Sequence, residues 1–292
     1  MTFGIRGNII RRELPSIVLK LTEKLKRKNI EYLVEDTAAK FIKQVTGKTI
    51  KASLVVSPKS LVRISDFIIS IGGDGTFLAT AKLVNSRGTP IIGVNMGKLG
   101  YLAETSTKNI FSFISNVLVN RFRIEERTVL TATSSCTKRR INGMNEIVLS
   151  QNGTVKTVFI EVFYNGSLVI SYHADGLIVS TPTGSTGYSL SAGGPIVSPG
   201  TKVVIIAPIC PHTFTARPII LPDDGTIKVN IENRTPISVT ADGNSSFIIK
   251  KESTVIIKKA SYKVKIVKSP ESNYFKILNQ KLLWGEDKRN SK

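Results

Sequence analysis

The sequence predicts two domains of different class: an α/β N-terminal domain, a parallel sheet covered by helices, followed by an all-β C-terminal domain. Three observations carry that expectation. Residues 3 to about 105 alternate short apolar runs with helical patterns, from about residue 120 the apolar period falls to two, and the glycine turn Gly72-Gly73-Asp74-Gly75-Thr76 joins a strand-like run to a helical one. The 292 residues, 41% hydrophobic and 21% charged, are enough for two cores of ordinary globular composition. The expected divisions are 1–115 and 116–265, with 266–292 as a C-terminal segment able to return to the first domain.

In chain order, Phe3 to Gly7 reads as a strand, and Leu14, Ile17, Val18, Leu21 and Leu25 fall on one helical face. Strands are expected at Ile30 to Val34, Ala52 to Ser57, Phe67 to Ile71 and Ile91 to Asn95, with a helix over Thr76 to Asn85 between the last two. Strands alternating with helices argue a parallel sheet, whose ligands bind beyond the carboxyl ends of the strands. Further on, Val155 to Tyr164 alternates in period two, and the Asn-Gly pairs at 152–153 and 165–166 are hairpin signals. Strand-like runs follow at Leu168 to Tyr172, Leu177 to Ser180, Lys202 to Ala207, Ile227 to Ile231, Ile237 to Thr240 and Thr254 to Ile257, and Tyr274 to Trp284 suits a short helix or strand. Residues Asp287 to Lys292 read as a polar, frayed end.

Forty-one Lys and Arg against 21 Asp and Glu give a net charge of +20, which concentrates anionic partners near the surface. The basic runs Lys138-Arg139-Arg140, Lys250-Lys251 and Lys258-Lys259 carry no interleaved aromatic residues, so they read as solvated faces and no nucleic-acid partner is expected. Cys136 and Cys210 lack metal-ligand spacing, as do the only histidines, His173 and His212. Met1 to Leu14 has no apolar leader and the longest apolar run, Val203 to Ala207, is too short to span a bilayer. A cytoplasmic protein without membrane attachment is expected.

Three stretches could carry chemistry. At Gly72 to Thr76 the glycines permit positive φ and close backbone approach, and the amides opening the next helix favour an anion. Asp74 is unusual there, since a carboxylate repels phosphates; it could take a proton from an attacking hydroxyl, hold a metal ion, or simply cap the helix. The second stretch, Asp175 to Pro195, is almost entirely small residues, hydroxyls and glycines around Tyr188, suited to a flat polar ligand with the aromatic stacked on it. The third, Gly143-Met144-Asn145-Glu146, offers an amide and a carboxylate for a ribose diol, although Asn-Glu pairs occur by chance and a solvated strand edge is the usual explanation of one. Asp242-Gly243 reads as a hairpin turn. No Gly-Lys-Ser/Thr loop and no Gly-x-Gly-x-x-Gly fingerprint is present, which argues against ordinary ATPase and hydride-transfer chemistry.

Together these stretches resemble the NAD kinases, in their archaeal type, which phosphorylate the 2′-hydroxyl of the adenosine ribose of NAD to give NADP. Gly72-Gly73-Asp74-Gly75-Thr76 looks like the family's signature loop, Asn145-Glu146 like its second motif, and Asp175 to Pro195 like its long glycine-rich motif. Asn95 to Leu102, Pro208 to Thr213 with Arg217-Pro218, and Asp242-Gly243 are similar to further family segments in the same order, so the resemblance spans roughly residues 65 to 245. It implies Asp74 as general base and Gly72, Gly73, Gly75 and Thr76 at the phosphates. It further implies NAD contacts from Gly75, Tyr101, Asn145, Glu146, Asp175, Thr183, Thr186, Gly187, Tyr188, Ser191 and Asp242, with Asp175 at the nicotinamide end and Tyr188 on the adenine face. Gly187 stands where the family more often has Ala, and Tyr101 where it more often has Phe. Also implied are ATP or polyphosphate as donor, Mg²⁺ held mainly by the donor's phosphates with no protein metal site, substrate lying between the two domains, and a homodimer or homotetramer. The rival readings are a lipid kinase sharing Gly-Gly-Asp-Gly-Thr, and a non-catalytic nucleotide- or nucleic-acid-binding module.

Overall fold

The structure, a computed structural model, describes residues 1–97, 100–151, 157–232, 236–249 and 253–282. The chain divides into two compact units, 1–126 with 265–292, and 127–264. The first division falls later than the expected 115/116 because the strand Arg123–Arg127 is hydrogen-bonded into the first sheet.

The first unit opens with β1 (Thr2–Gly7), α1 (Leu14–Arg27), β2 (Glu31–Glu35), α2 (Asp36–Thr46), β3 (Val55–Val56), α3 (Pro58–Ile64), β4 (Phe67–Gly72), α4 (Asp74–Val84), β5 (Ile91–Asn95), β6 (Thr105–Ser106), α5 (Ile110–Leu118) and β7 (Arg123–Arg127). Its sheet runs β3-β2-β1-β4-β5, then a late strand of the chain, then β7, with β6 beside β5. The pairs from β3 through β5 are parallel. All six residues of β4 are buried, as a strand covered on both faces requires. On α1 the buried Leu14, Val18, Leu21 and Leu25 form the expected stripe.

Two local expectations change. Ala52 to Ser57 is not a full strand: Ala52–Leu54 makes a 3₁₀ turn and only Val55–Val56 pairs. Ser57 ends it by capping α3, its Oγ accepting from the Ser60 amide at 3.3 Å, while Pro58 supplies a preset first helical residue. The helix expected over Thr76 to Asn85 starts two residues earlier, at Asp74, and Asn85 belongs to the following 3₁₀ turn.

The strand order positions the site. After β1 the chain crosses to β2 on one side, whereas β4 lies on the other side of β1 and leads on to β5. The connections leaving β1 and β4 therefore diverge, and a crevice opens at the carboxyl ends of this pair. Gly72 to Thr76 lie at that end of β4, and Asn8 at the end of β1 donates its amide to Ile71 O at 2.9 Å.

The second unit contains β8 (Leu130–Ser134), β9 (Thr137–Gly143), β10 (Glu146–Gln151), β11 (Val158–Tyr164), β12 (Ser167–Ala174), β13 (Gly176–Ser180), α6 (Tyr188–Ser191), β14 (Val203–Ile209), β15 (Ile219–Pro222), β16 (Ile227–Glu232), β17 (Ile237–Ala241), β18 (Ser245–Ile249) and β19 (Ser253–Lys259). They form two six-stranded antiparallel sheets, β15-β14-β13-β10-β17-β18 and β12-β11-β16-β19-β8-β9. One core takes side chains from both, among them Ile147, Leu149, Leu177 and Val179 of the first and Ile160, Val162, Val229 and Val255 of the second. The other face of the first sheet is covered too, with Val148, Ile178 and Ala207 packed under Ala192 and Ile209. That second cover explains why β13 is buried along its whole length. The Asn165-Gly166 hairpin forms, both residues at positive φ (50° and 86°); Asn152-Gly153, with Val155 and Lys156, lies outside the described residues, as do Lys250-Lys251 and the tail beyond 282.

The chain then returns to the first unit as β20 (Val264–Lys268), parallel to β5 through Ile266 and Ile91, and ends its described part in α7 (Tyr274–Leu282), a helix. Among the described residues no helix is long and apolar enough to cross a membrane.

Candidate active site

The glycine turn of the first unit is built around space rather than strain. None of Gly72, Gly73 and Gly75 has a positive φ, contrary to the conformational role expected of them. Gly72 is needed because a side chain there would run into Thr76, while a Cβ on Gly73 or Gly75 would meet nothing within 4 Å. Gly73 precedes α4, so Asp74 and Gly75 open the helix where no earlier carbonyl is in place for their amides. The turn therefore presents amides to open space at the positive end of an 11-residue helix.

Asp74 does not point at those amides. Its Oδ2 accepts from the Tyr101 amide at 3.0 Å and its Oδ1 from the Leu102 amide at 3.1 Å. Any Cβ on Gly100 would collide with this carboxylate, so the 100–102 strip lies directly against it. Two adjacent amides, one on each oxygen, fix the carboxylate's plane and leave each oxygen a further lone pair. Burial and the Asp74 charge raise the Tyr101 phenol, whose ring carries Lys281 Nζ at 4.9 Å from its centre. Lys98 and Leu99 of the same motif lie outside the described residues.

In the second unit, Asn145 and Glu146 stand at the start of β10, held by another carboxylate. Asp242, in the turn between β17 and β18, accepts from the amides of Met144 (2.8 Å), Asn145 (2.8 Å) and Glu146 (3.1 Å). Asp242 and Gly243 have positive φ (49° and 65°), which accounts for an Asp-Gly pair at the turn. The glycine-rich motif seals the other side. Thr181 donates its amide to Asn145 O at 2.8 Å and its hydroxyl to Met144 O at 2.6 Å, and a Cβ on Gly184 would collide with Asn145 O.

These contacts leave two buried acceptors without a partner, Asn145 Oδ1 and Glu146 Oε2. Glu146 is only 8% exposed, and burial, with a smaller push from Asp242, raises its carboxyl to about 7. Buried polar atoms left unpaired are costly, and a donor-rich ligand would satisfy them. Gly187 backs onto the pair: a Cβ there would lie 3.2 Å from Glu146 Oε2 and 3.5 Å from Asn145 Nδ2. Thr183 is buried with its Oγ1 3.4 Å from Arg127 Nη1, Thr186 is half-buried, and Tyr188 is 45% exposed at the head of α6, which ends in the exposed Ser191.

The sequence-derived residues thus fall into three places. Gly72, Gly73, Asp74, Gly75, Thr76 and Tyr101 come together in the first unit, and Asn145, Glu146, Thr183, Thr186, Gly187, Tyr188, Ser191 and Asp242 surround one end of β10 and β13 in the second. Asp175 is not among them. It connects β12 to β13 at the opposite end of β13 from Ser180, which pairs with Glu146, and five residues of strand separate the two by about 16 Å. Arg127, Thr181 and Gly100 were not singled out; Thr181 and Gly100 each lie inside a stretch that the sequence marked, whereas Arg127 had no signal. No cluster of three or more His, Cys, Asp or Glu suited to a metal ion occurs among the described residues.

Comparison with known proteins gives a consistent result. The ATP-NAD kinase N-terminal domain matches residues 3–122 and the ATP-NAD kinase C-terminal domain residues 142–269. The NAD kinase of Flavobacterium psychrophilum is 38% identical over 99% of this chain and 100% of its own length, and that of Bacteroides fragilis is 36% identical over 99% and 100%. Among solved structures, an NAD kinase from Archaeoglobus fulgidus in complex with ATP superposes with a TM-score of 0.76 at 26% identity, covering 97% of this chain and 99% of that one. Yeast NADH kinase complexed with NADH shares the fold, with a TM-score of 0.90 at 23% identity over 100% of this chain and 90% of that one.

Proposed function

Because the chain belongs to the NAD kinase family, we propose that it transfers a phosphoryl group from ATP or polyphosphate to the 2′-hydroxyl of the adenosine ribose of NAD, with Asp74 as general base. The carrying observation is the Asp74 carboxylate, pinned through both oxygens by the Tyr101 and Leu102 amides beside the open, amide-rich turn at Gly73 and Gly75.

A secondary hydroxyl is a weak nucleophile, so a fixed carboxylate that takes its proton as the new bond forms lowers the barrier. The ribose oxygen bonds to the terminal phosphorus, the bond to the donor's bridging oxygen breaks, the shortened donor leaves, and the proton goes to Asp74. The amides opening α4, with Gly72, Gly73, Gly75 and Thr76 around them, bind the phosphate oxygens. When bound, Mg²⁺ would supply neutralising charge on the donor phosphates. The Asp74 carboxylate, with a lone pair left on each oxygen, suits an ion carried mainly by those phosphates, since magnesium needs only one or two protein carboxylates.

Glu146 and Asn145 accept hydrogen bonds from ribose hydroxyls through their unpaired oxygens. Thr183, Thr186 and Gly187 border the adenine, Tyr188 stacks on it and Ser191 lies nearby. Asp242 acts through the Asn145-Glu146 backbone that its carboxylate holds. Asp175 reaches the nicotinamide end of an NAD bound to a neighbouring subunit, which suits its distance from the Glu146 cluster and makes the enzyme a homodimer or homotetramer. Gel filtration giving only monomer would remove that role.

The test of the reaction is NADP formation from NAD and Mg²⁺ with ATP or polyphosphate, and with NADH as a second acceptor. Turnover with either donor supports the reading and identifies the donor; a folded sample making no NADP with any donor overturns it.

A further inference from the structure

The strip that holds Asp74 is itself held by a part of the chain more than 150 residues away. Leu102 is followed by Ala103 and Glu104, which cross β5 closely: a Cβ on Gly93 would meet Leu102 O and Ala103 Cα, and the Glu104 amide donates to Gly93 O at 3.0 Å. The Glu104 side chain turns into the protein, where its partners among the described residues come from the returning C-terminal segment. Lys268 Nζ, at the end of β20, lies 3.0 Å from Oε2, with the two side chains only 3% and 6% exposed. Ser272 Oγ donates to the same oxygen at 3.0 Å, and the Ser269 amide donates to Oε1 at 2.9 Å. The other end of the strip meets this segment as well, through Lys281 of α7 over the Tyr101 ring.

From this geometry we infer that Lys268, with Ser269 and Ser272, is a positioning device for Asp74: the Lys268–Glu104 pair anchors residues 101–104 and so sets where the Tyr101 and Leu102 amides hold the carboxylate. The inference rests on Asp74 being the general base. A buried ion pair is a poor source of stability, because desolvating both charges offsets their attraction, but it fixes two segments in one register. A reacting carboxylate displaced by about 1 Å can cost about 100-fold in rate. Among the described residues neither Lys268 nor Glu104 hydrogen-bonds or ion-pairs with the turn at Gly72 to Gly75, so NAD affinity is expected to survive their alteration.

The experiment compares Lys268→Met, Ser272→Ala and Asp74→Asn with the unaltered full chain. NAD-binding sites are counted by calorimetric titration, and NADP formation is expressed per NAD-binding site, so that a misfolded fraction lowers the site count and not the rate per site. Lys268→Met is expected to lower kcat per site by about 10- to 100-fold and Ser272→Ala by about two- to fivefold, with KM for NAD within about threefold of the unaltered enzyme. Unchanged kcat per site in both variants overturns the inference, and if Lys268→Met does not fold, Ser272→Ala decides alone. Asp74→Asn separates the two claims: its loss of turnover upholds the base while the other variants decide the anchor, and its retention of turnover overturns the base and the inference with it.

Discussion

Asp74 and Asp242 sit in different units and are held by the same device, a carboxylate receiving the amides of consecutive residues. What differs is what the device presents. Asp242 sits in a tight turn and accepts three amides, and what it presents is the neighbouring pair Asn145 and Glu146, of which Asn145 Oδ1 and Glu146 Oε2 are left unpaired. Asp74 accepts two amides in a half-exposed place beside glycines that face open space, and what it presents is itself. On the proposed function, one carboxylate supports a binding surface and the other is itself the reacting group. The lesson is that a hydrogen-bonded aspartate is read from what surrounds its remaining lone pairs, not from the bonds it already makes.

The comparison breaks most visibly at Asp242. Replacing it with Ala strips three amides of their charged acceptor and puts a residue without a turn preference at φ 49°; unfolding free energy should fall by about 4 kcal/mol. Chemical denaturation measures this, and an effect under about 1 kcal/mol would remove Asp242 from the support of Glu146.

Next comes Glu146 itself. Its folded value of about 7 lies above its ordinary 4.5, so the folded chain binds this proton more tightly than the unfolded one. The associated stability is fully present below about pH 4.5 and is lost as pH rises through about 7, a change of about 3 kcal/mol that Glu146→Gln should abolish. Denaturation of both proteins at pH 5 and pH 8 tests it. Ribose hydroxyls favour the ionised acceptor, so KM for NAD should fall over the same rise in pH in the unaltered enzyme and stay flat in Glu146→Gln.

Tyr188→Ala removes a stacking surface and should raise KM for NAD about 10-fold, with kcat within about twofold. The smallest effect is expected at Gly187→Ala. The new methyl presses on Glu146 Oε2, so KM for NAD should rise about three- to fivefold, and an unchanged KM would mean that the Glu146 side chain yields freely.

Much of this was readable in the chain because local chemistry determines it. The β4 run, the α1 stripe and the Asn165-Gly166 turn each follow from periodicity or from backbone preference. Other features were hidden by their dependence on remote partners. A return of residues 266–292 to the first domain was expected, but β20 itself was not among the expected strands, since its place beside β5 depends on the remote pairing of Ile266 with Ile91. α2 buries only Ala38 and Ile42, too narrow a face to stand out. Within the site, the Asp-Gly turn was visible at 242–243, but the aim of its carboxylate at residues 144–146 depends on β10 and β17 lying side by side. Similarly, Gly72 and Gly100 are glycines because Thr76 and Asp74 occupy the space a side chain would take, which no reading of turn propensity supplies.

The most direct test of the division between a reacting and a binding carboxylate is to measure the Kd for NAD and the kcat of NADP formation on Asp74→Asn. The expected result is a Kd within about threefold of the unaltered enzyme and a kcat lower by about 10²- to 10⁴-fold, the span of general-base catalysis. Loss of binding in proportion to loss of rate would contradict it and make Asp74 a structural residue of the turn.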